Sequence, residues 1–291
     1  MEDLIRSNRR YLSLSILCLT LLGAARAPLP VAEASPDAVA PDLGSALSFA
    51  VLGASTVTNT GPTAVTGDLG LWPGTSVTGF PPGTVSGGVM HVNDAIAHQA
   101  QDDAVLAYDD LAGQPCDTDL TGQDLGGMTL APGTYCFDDV ASLTGDLELD
   151  AQGDSNAVFV FQIGSTLTTA SNAAVNVIGG GLACKVFWQV GSSATLDIGT
   201  VFAGNLLALA SITLNAGASL VGRAIALNAA VTMDTNDVSN AACFGPTAIA
   251  IHAFRASAAD GQPAWPIMGI LLMVAVILIG IQGMGLLSLH R

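Results

Sequence analysis

Strict alternation of apolar and small polar residues dominates the second half of the chain. In STLTTA (165–170) Leu167 opposes Thr166 and Thr168, and in SATLDI (193–198) Leu196 and Ile198 oppose Thr195 and Asp197. In SITLN (211–215) Ile212 and Leu214 oppose Ser211, Thr213 and Asn215. In AVTMD (230–234) Val231 and Met233 oppose Ala230, Thr232 and Asp234. A period of two predicts half-buried strands. These strands belong to an approximate repeat: 186–204, 205–222 and 223–238 align with one another, and 158–180 is a longer copy. A period of roughly 18–20 residues is too short for helical-pair repeats and suits one coil of a β-solenoid, with three short strands per turn. Stacked in register, the Leu, Ile, Val and Met side chains point inward. The Thr, Ser and Ala then form outward ladders with a rung every ~4.8 Å.

A helical period occurs in one stretch, 92–112, where Val92, Ile96, Ala100, Ala104 and Leu111 share a face, with Asn93 as the expected N-cap and Gly113 as the stop. The two ends read differently. Arg6, Arg9 and Arg10 precede an apolar run from Tyr11 to Leu22, and Ala-x-Ala sites end at Ala27 and Ala34, the order of a secretory signal peptide over 1–34. The Arg9-Arg10 pair raises twin-arginine export, but its flanking residues fit that motif poorly. From Trp265 to Leu289 no residue is charged, and the run is long enough to cross a bilayer. A transmembrane helix over 264–289 is therefore expected, with Trp265 at the interface and His290-Arg291 inside. The plan that follows is a disordered lead-in at 35–44, a β domain at 45–243, a linker at 244–263 and the span. It places the β domain outside the cell, tethered at its C-terminus.

Charge narrows the partners. Cleavage after Ala34 leaves four of the 8 basic and 21 of the 24 acidic residues, a net charge near −17. Such a surface repels phosphate backbones, so nucleic acid is excluded. The remaining acids are almost all Asp, with Glu148 the one Glu, and 33 Gly and 13 Pro mark a turn-dense, β-rich chain. Cys116, Cys136, Cys184 and Cys243 remain after cleavage, and an even number in an oxidising compartment implies two disulfides. Sequence leaves three pairings open; Cys116–Cys136 with Cys184–Cys243 is the expected one.

Few residues invite chemistry. His91 and His98 flank the helix start, and His98 lies one turn from Asp102, but no nucleophile accompanies them. Asp117, Asp119 and Gly122 match part of a calcium loop, yet the twelfth position is Met128 instead of Glu. A turn closed by Asp side chains is the expected reading. Asp197 and Asp234, on neighbouring outward strands, are the nearest approach to the paired carboxylates a polysaccharide-cleaving enzyme needs. No CxxC, GxSxG, HExxH or phosphate-cradling loop is present. The chain is thus expected to be no enzyme and to carry neither metal nor cofactor.

A flat face of methyl and hydroxyl groups can hold water in an ordered layer, and stiff β-branched side chains lose little entropy on docking. The segment FAVLGASTVTNTGPTAVTGDLGLWPGTSVTGF (49–80) closely resembles the start of the microbial ice-binding family with a discontinuous β-solenoid. The helix near Asn93, LAPGTYCF (130–137), 143–170, 186–227 and AVTMDTNDV (230–238) resemble later elements of that family, in its order, so the likeness covers 45–243. The resemblance implies a right-handed solenoid of triangular cross-section with one long helix alongside. Chain from both ends would supply neighbouring coils, so the strand near Ala50–Thr58 would lie among C-terminal coils. It also implies adsorption to ice through one flat face, which inhibits crystal growth and recrystallisation or attaches the cell to ice. Carried onto this chain, the face would comprise Thr56, Thr58, Thr166, Thr168, Thr195, Ser211, Thr213 and Thr232, interrupted by Asp197 and Ala230. The rival expectation is a cell-surface adhesin for a carbohydrate or another cell, which would show aromatics or acids on that face. A single solenoid with no obvious bare edge is expected to be monomeric.

Overall fold

A computed structural model describes residues 38–244. Over that span the chain is mainly β, with strands paired in parallel in a fifteen-stranded and a seven-stranded sheet, and one long α-helix. One coil consists of Phe159–Ile163, Leu167–Thr169 and Ala174–Ile178. Each of these pairs with its equivalent one coil further on, in Val186–Val190, Ala194–Leu196 and Val201–Ala208. The seven-stranded sheet forms one face and the larger sheet supplies the other two. Val201–Ala208 and Ser219–Ala226 run through the corner between those two and pair along their whole length.

Spatial order departs from sequence order. Phe49–Gly53 pairs with Ser219–Ala226, Thr56–Thr60 with Val231–Asp234, and Ala64–Thr66 with Asp237–Ser239, so the N-terminal coils stack onto the C-terminal end as expected. A further coil, built from Asp68–Leu71, Ser76–Thr78 and Thr84–Ser86, lies beyond them. The chain then passes through the helix and restarts at the opposite end, where Thr118–Asp119 pairs with Gly133–Phe137.

The helix, α1 (Ala95–Ala112), begins three residues inside the expected stretch. Its N-cap is Asp94, whose carboxylate accepts hydrogen bonds from the Ile96 and Ala97 amides; Asn93 instead takes a left-handed φ of 54°. The bond from Ala97 and the His91 ring hold the Asp94 carboxyl below the usual carboxylate range. Gly113 ends the helix as expected. Ala100, Ala104 and Leu111 are buried, but Val92 belongs to a strand and Ile96 is exposed. The buried stripe is Ala97, Ala100, Gln101, Ala104, Ala107, Tyr108 and Leu111. Its alanines pack on outward-facing Phe49, Leu52, Val160, Phe187, Leu207 and Ile225 of the solenoid, a second apolar layer outside the main core.

The lead-in corrects its expectation where it is described. Residues 38–43 are ordered: the Gln114 amide donates to Val39 O and accepts from Val39 N, and Leu43 is buried in that second layer. A 3-10 turn, Gly44–Ser48, follows, and Asp103 accepts from the Ser45 amide. Composition suggested disorder because these contacts lie some 60–75 residues away in sequence. The signal peptide, most of the linker and the transmembrane helix lie outside the described residues. Among the described residues no helix is long and apolar enough to cross a membrane.

The main core runs down the solenoid axis. Tyr135, Phe161 and Trp188 stack on successive coils, with ring centroids 5.4 and 3.9 Å apart, and Phe202 packs on Trp188 at 4.9 Å. The indole N–H of Trp188 donates to Ala203 O, so the buried ring has its partner. Ile198, expected inside, is exposed, because its strand ends at Leu196 and a turn begins. Disulfides join Cys116 to Cys136 and Cys184 to Cys243, the expected pairing.

The corner of the larger sheet depends on glycine. Gly204 and Gly222 are paired neighbours with φ of 125° and 146°, and a Cβ on Gly222 would overlap the Gly204 carbonyl. Gly222→Ala is expected to lower stability by about 2 kcal/mol or more, strain and overlap combined. Gly217→Ala, where a Cβ meets nothing, should cost only the ~1 kcal/mol of a left-handed backbone. Denaturant melts of the two variants measure the difference.

Candidate functional site

The seven-stranded sheet is the candidate. Its strands stack in the order Ala141–Leu143, Leu167–Thr169, Ala194–Leu196, Ile212–Leu214, Val231–Asp234, Thr56–Thr60, Ser76–Thr78. Polar and core-facing positions alternate along each: Leu167 and Thr169 are buried and Thr168 is exposed, Ile212 and Leu214 are buried about a half-buried Thr213, and in Ser76–Thr78 the exposed Ser76 and Thr78 flank Val77, which packs on the core. Buried Leu, Ile, Val and Met therefore fix which side of every strand is presented to water.

Register makes a row of these polar positions. Ser142 pairs with Thr168, Thr168 with Thr195, Thr195 with Thr213, Thr213 with Thr232, Thr232 with Thr58, and Thr58 with Thr78. Seven hydroxyl residues thus follow one another at the inter-strand spacing of ~4.8 Å. The Thr58 hydroxyl donates to that of Thr232 at 3.3 Å across the junction of N- and C-terminal chain. A second row lies two residues back along each strand, ~6.7 Å away. The ladder bonds Ala141 N to Thr166 O, Leu167 N to Ser193 O, Ala194 N to Ser211 O and Ile212 N to Ala230 O place Thr166, Ser193, Ser211 and Ala230 in it. Thr56 and Ser76 continue the row.

All eight expected residues lie on this one sheet: Thr58, Thr168, Thr195, Thr213 and Thr232 in the central row, Thr56, Thr166 and Ser211 in the second. Ser142 and Thr78 complete the central row, and Ser193 and Ser76 the second; sequence reasoning passed over them. The alternation in SVT (76–78) and ASL (141–143) carried the signal, but three residues are too few to stand out unless the stacking order is known. Ala230 does interrupt the second row. Asp197 does not interrupt the central one. It belongs to a third row at the corner, with Asn215 and Asp234.

That corner is closed by its own hydrogen bonds. The Asp197 carboxylate accepts from the Ser171 hydroxyl at 2.7 Å and from the Asn215 amide at 3.0 Å, while its backbone N–H donates to the Thr169 hydroxyl. The bonds from Ser171, Ile198 N–H and Asn215 hold its pKa below the usual value. Beneath it the Thr169 and Thr200 hydroxyls share a buried bond of 2.7 Å, and the Asn236 amide donates to Asn215 O and Ala218 O. Asp197 and Asp234 are separated by the coil carrying Asn215, and Asp234 accepts from the Thr235 hydroxyl. Both carboxylates brace turns.

The other expected chemistry resolves into structure in the same way. His91 supports the helix cap at 2.9 Å from Asp94. His98 lies 3.5 Å from Asp102 and stacks on Trp72 at 4.3 Å. Asp119 accepts from Thr121 N and closes a turn, whereas Asp117 accepts from Thr134 N, 17 residues away, and ties one coil to the next. Among the described residues no group of three or more His, Cys, Asp or Glu is placed to hold a metal ion.

The family model described as "Ice-binding-like" matches residues 51–239. The chain is 58% identical over 200 residues to an ice-binding protein of Nostoc sp. (strain HG1), covering 68% of this chain and 74% of that one. Among solved structures it is similar to an ice-binding protein from an Antarctic biological consortium, with TM-score 0.68 and 46% identity over 74% of this chain and 96% of the other. It is also similar to an ice-binding protein of the Antarctic ascomycete Antarctomyces psychrotrophicus, with TM-score 0.67 and 40% identity over 69% and 98%.

Asp197 has a lowered pKa, so its bonds are fully present above the usual carboxylate range and are lost as the pH falls through its lowered value. Amide exchange at 196–200, corrected for intrinsic rate, should accelerate on acidification in the parent. In Asp197→Asn that pH dependence should disappear.

Proposed function

Because the chain belongs to the Ice-binding-like family, we propose that it adsorbs to ice through the face carrying Ser142, Thr168, Thr195, Thr213, Thr232, Thr58 and Thr78. The observation that supports this most is the register: seven uncharged hydroxyl residues in one unbroken row. The threonine methyls restrain neighbouring water, and the hydroxyls of all seven anchor it in a two-dimensional array. Each threonine has few rotamers to lose, so an array held by a stiff sheet is ordered before it meets the crystal. Ice advancing between adsorbed molecules must bulge outward, and that curvature opposes further growth. No bond is made or broken.

The adhesin reading has less support. Carbohydrate recognition favours exposed aromatics, and neither the central nor the second row contains one. A polysaccharide-cleaving reading needs a free carboxylate pair, whereas Asp197 is held by Ser171 and Asn215. The protein in this reading is a monomeric, right-handed solenoid of triangular cross-section. It is exported by the signal at 1–34 and tethered to the cell surface by the span at 264–289. Its acidic remainder stays solvated while the uncharged face meets ice.

The whole chain should inhibit ice recrystallisation and show thermal hysteresis. Thr168→Tyr and Thr213→Tyr, checked for unchanged circular dichroism, should each reduce both activities severalfold. Activity that survives both substitutions would move the face elsewhere on the solenoid. A well-folded parent with no activity would favour the adhesin.

A further inference from the structure

The central row is assembled from two stretches of chain far apart in sequence. Ser142 to Thr232 come from the C-terminal solenoid, while Thr58 and Thr78 come from coils that precede the helix. Those N-terminal coils dock without a covalent turn, by strand pairing at their inner edge, Val51 on Ala224, Thr58 on Thr232 and Val65 on Val238, and by packing of Val51, Val57 and Val65 into the common core. A parallel strand added to an edge has no covalent turn to fix its register, and a slip by one residue would present Val57 and Val77 to the crystal in place of the threonines. Packing of α1 keeps these coils nearby. The alanines of its packed face carry no hydrogen-bonding side-chain group that would select one register.

One side chain does discriminate. Arg223 is 1% exposed and lies beside Ala224, where the N-terminal strand docks. Its Nε donates to Leu47 O at 3.0 Å, and Nη2 donates to the same carbonyl. Nη1 donates to Asn205 Oδ1 at 2.6 Å. Asn205 is itself buried and donates to the Cys184 and Val186 carbonyls, so the acceptor is fixed from the coil below. From the other side the Asn240 amide donates to Ser48 O at 2.9 Å. Two consecutive carbonyls, Leu47 and Ser48, are thus gripped immediately before the strand Phe49–Gly53. Burial lowers the Arg223 pKa to about 10, so the guanidinium stays charged at neutral pH. A register slip would take the Leu47 carbonyl out of reach and leave a buried cation short of an acceptor, which is costly.

We infer that Arg223 is a positioning residue for the ice-binding face, setting the register in which the N-terminal coils dock and so supplying the last two rungs, Thr58 and Thr78. This rests on the adsorption reading for its functional half. The docking half stands on the geometry alone, and the two are tested separately.

The test uses the whole chain with Arg223→Lys, which keeps the charge and loses the planar fork. Hydrogen exchange is followed by mass spectrometry, and recrystallisation inhibition is measured with and without Thr78→Tyr. Exchange at 49–60 and 76–86 should rise by about tenfold or more, while 159–163, 186–190 and 212–214 keep their protection. Ice activity should fall severalfold. Thr78→Tyr should weaken the parent severalfold and change the Arg223→Lys variant no further, whereas Thr168→Tyr should weaken both. If Arg223→Lys does not fold, Asn240→Ala, which releases the Ser48 carbonyl, is judged by the same pattern. Exchange that rises evenly across all coils, or a Thr78→Tyr effect that persists unchanged in the variant, overturns the inference. Selective exchange in a parent without ice activity would uphold the docking role and sink the adsorption reading.

Discussion

Parallel hydrogen bonding of each coil onto the next, in strict register, is the constraint on which the rest of this structure depends. Backbone pairing repeats at one spacing along the axis, so side chains at equivalent positions must also repeat at that spacing. Inside the coil this produces the Tyr135, Phe161 and Trp188 stack. Outside, it converts residues scattered between 58 and 232 into one straight row. The core and the face are therefore two consequences of the same ladder. The buried Leu, Ile and Val decide which side of each strand is presented, and the register decides what stands beside what.

Discontinuity is the difficulty that this arrangement creates. A solenoid wound from one end fixes each register through its covalent turns, but here the last coils come from the opposite end of the sequence. The structure compensates with contacts that sit off the ladder. The helix lays a small-residue face across coils from both segments, with Phe49 and Leu52 from one and Val160, Phe187 and Leu207 from the other. Gln101 reaches the Ala226 and Leu227 carbonyls, and Gln114 secures the lead-in at Val39. The disulfide from Cys184 to Cys243 closes the last described turn against a coil 59 residues earlier. Polar groups thus concentrate at corners and junctions, leaving the flat face uncharged.

Much of this was legible in the chain. Alternation identified the inward and outward positions in four strands, the 18–20-residue repeat gave the coil, and all eight proposed face residues lie on one sheet. The errors share a cause. Ile198 continued an alternation that the backbone abandons at Leu196. Asn93 is a cap by residue type, but it takes a left-handed φ of 54°, and the extended backbone from which a side chain reaches the Ala97 amide belongs to Asp94. Alternation alone puts Asp197 in the ladder because it has no way to mark where a strand turns into a corner. Residues 38–43 looked disordered because their partners, Gln114 and the apolar layer over the helix, are distant in sequence.

By itself the sequence determined the local periodicities: which residues can face a core, where short strands end in glycine turns, and where the long helix of the described residues runs. Those follow from backbone geometry and side-chain hydrophobicity acting over a few residues. Only the tertiary structure decided the order in which the coils stack. That order places Thr58 beside Thr232 and Ser142 at the head of the row, and sets Asp197 at the edge. Stacking order is a long-range choice because every parallel strand offers the same backbone donors and acceptors. It is made by the few side chains, among them the helix alanines, that touch both partners at once.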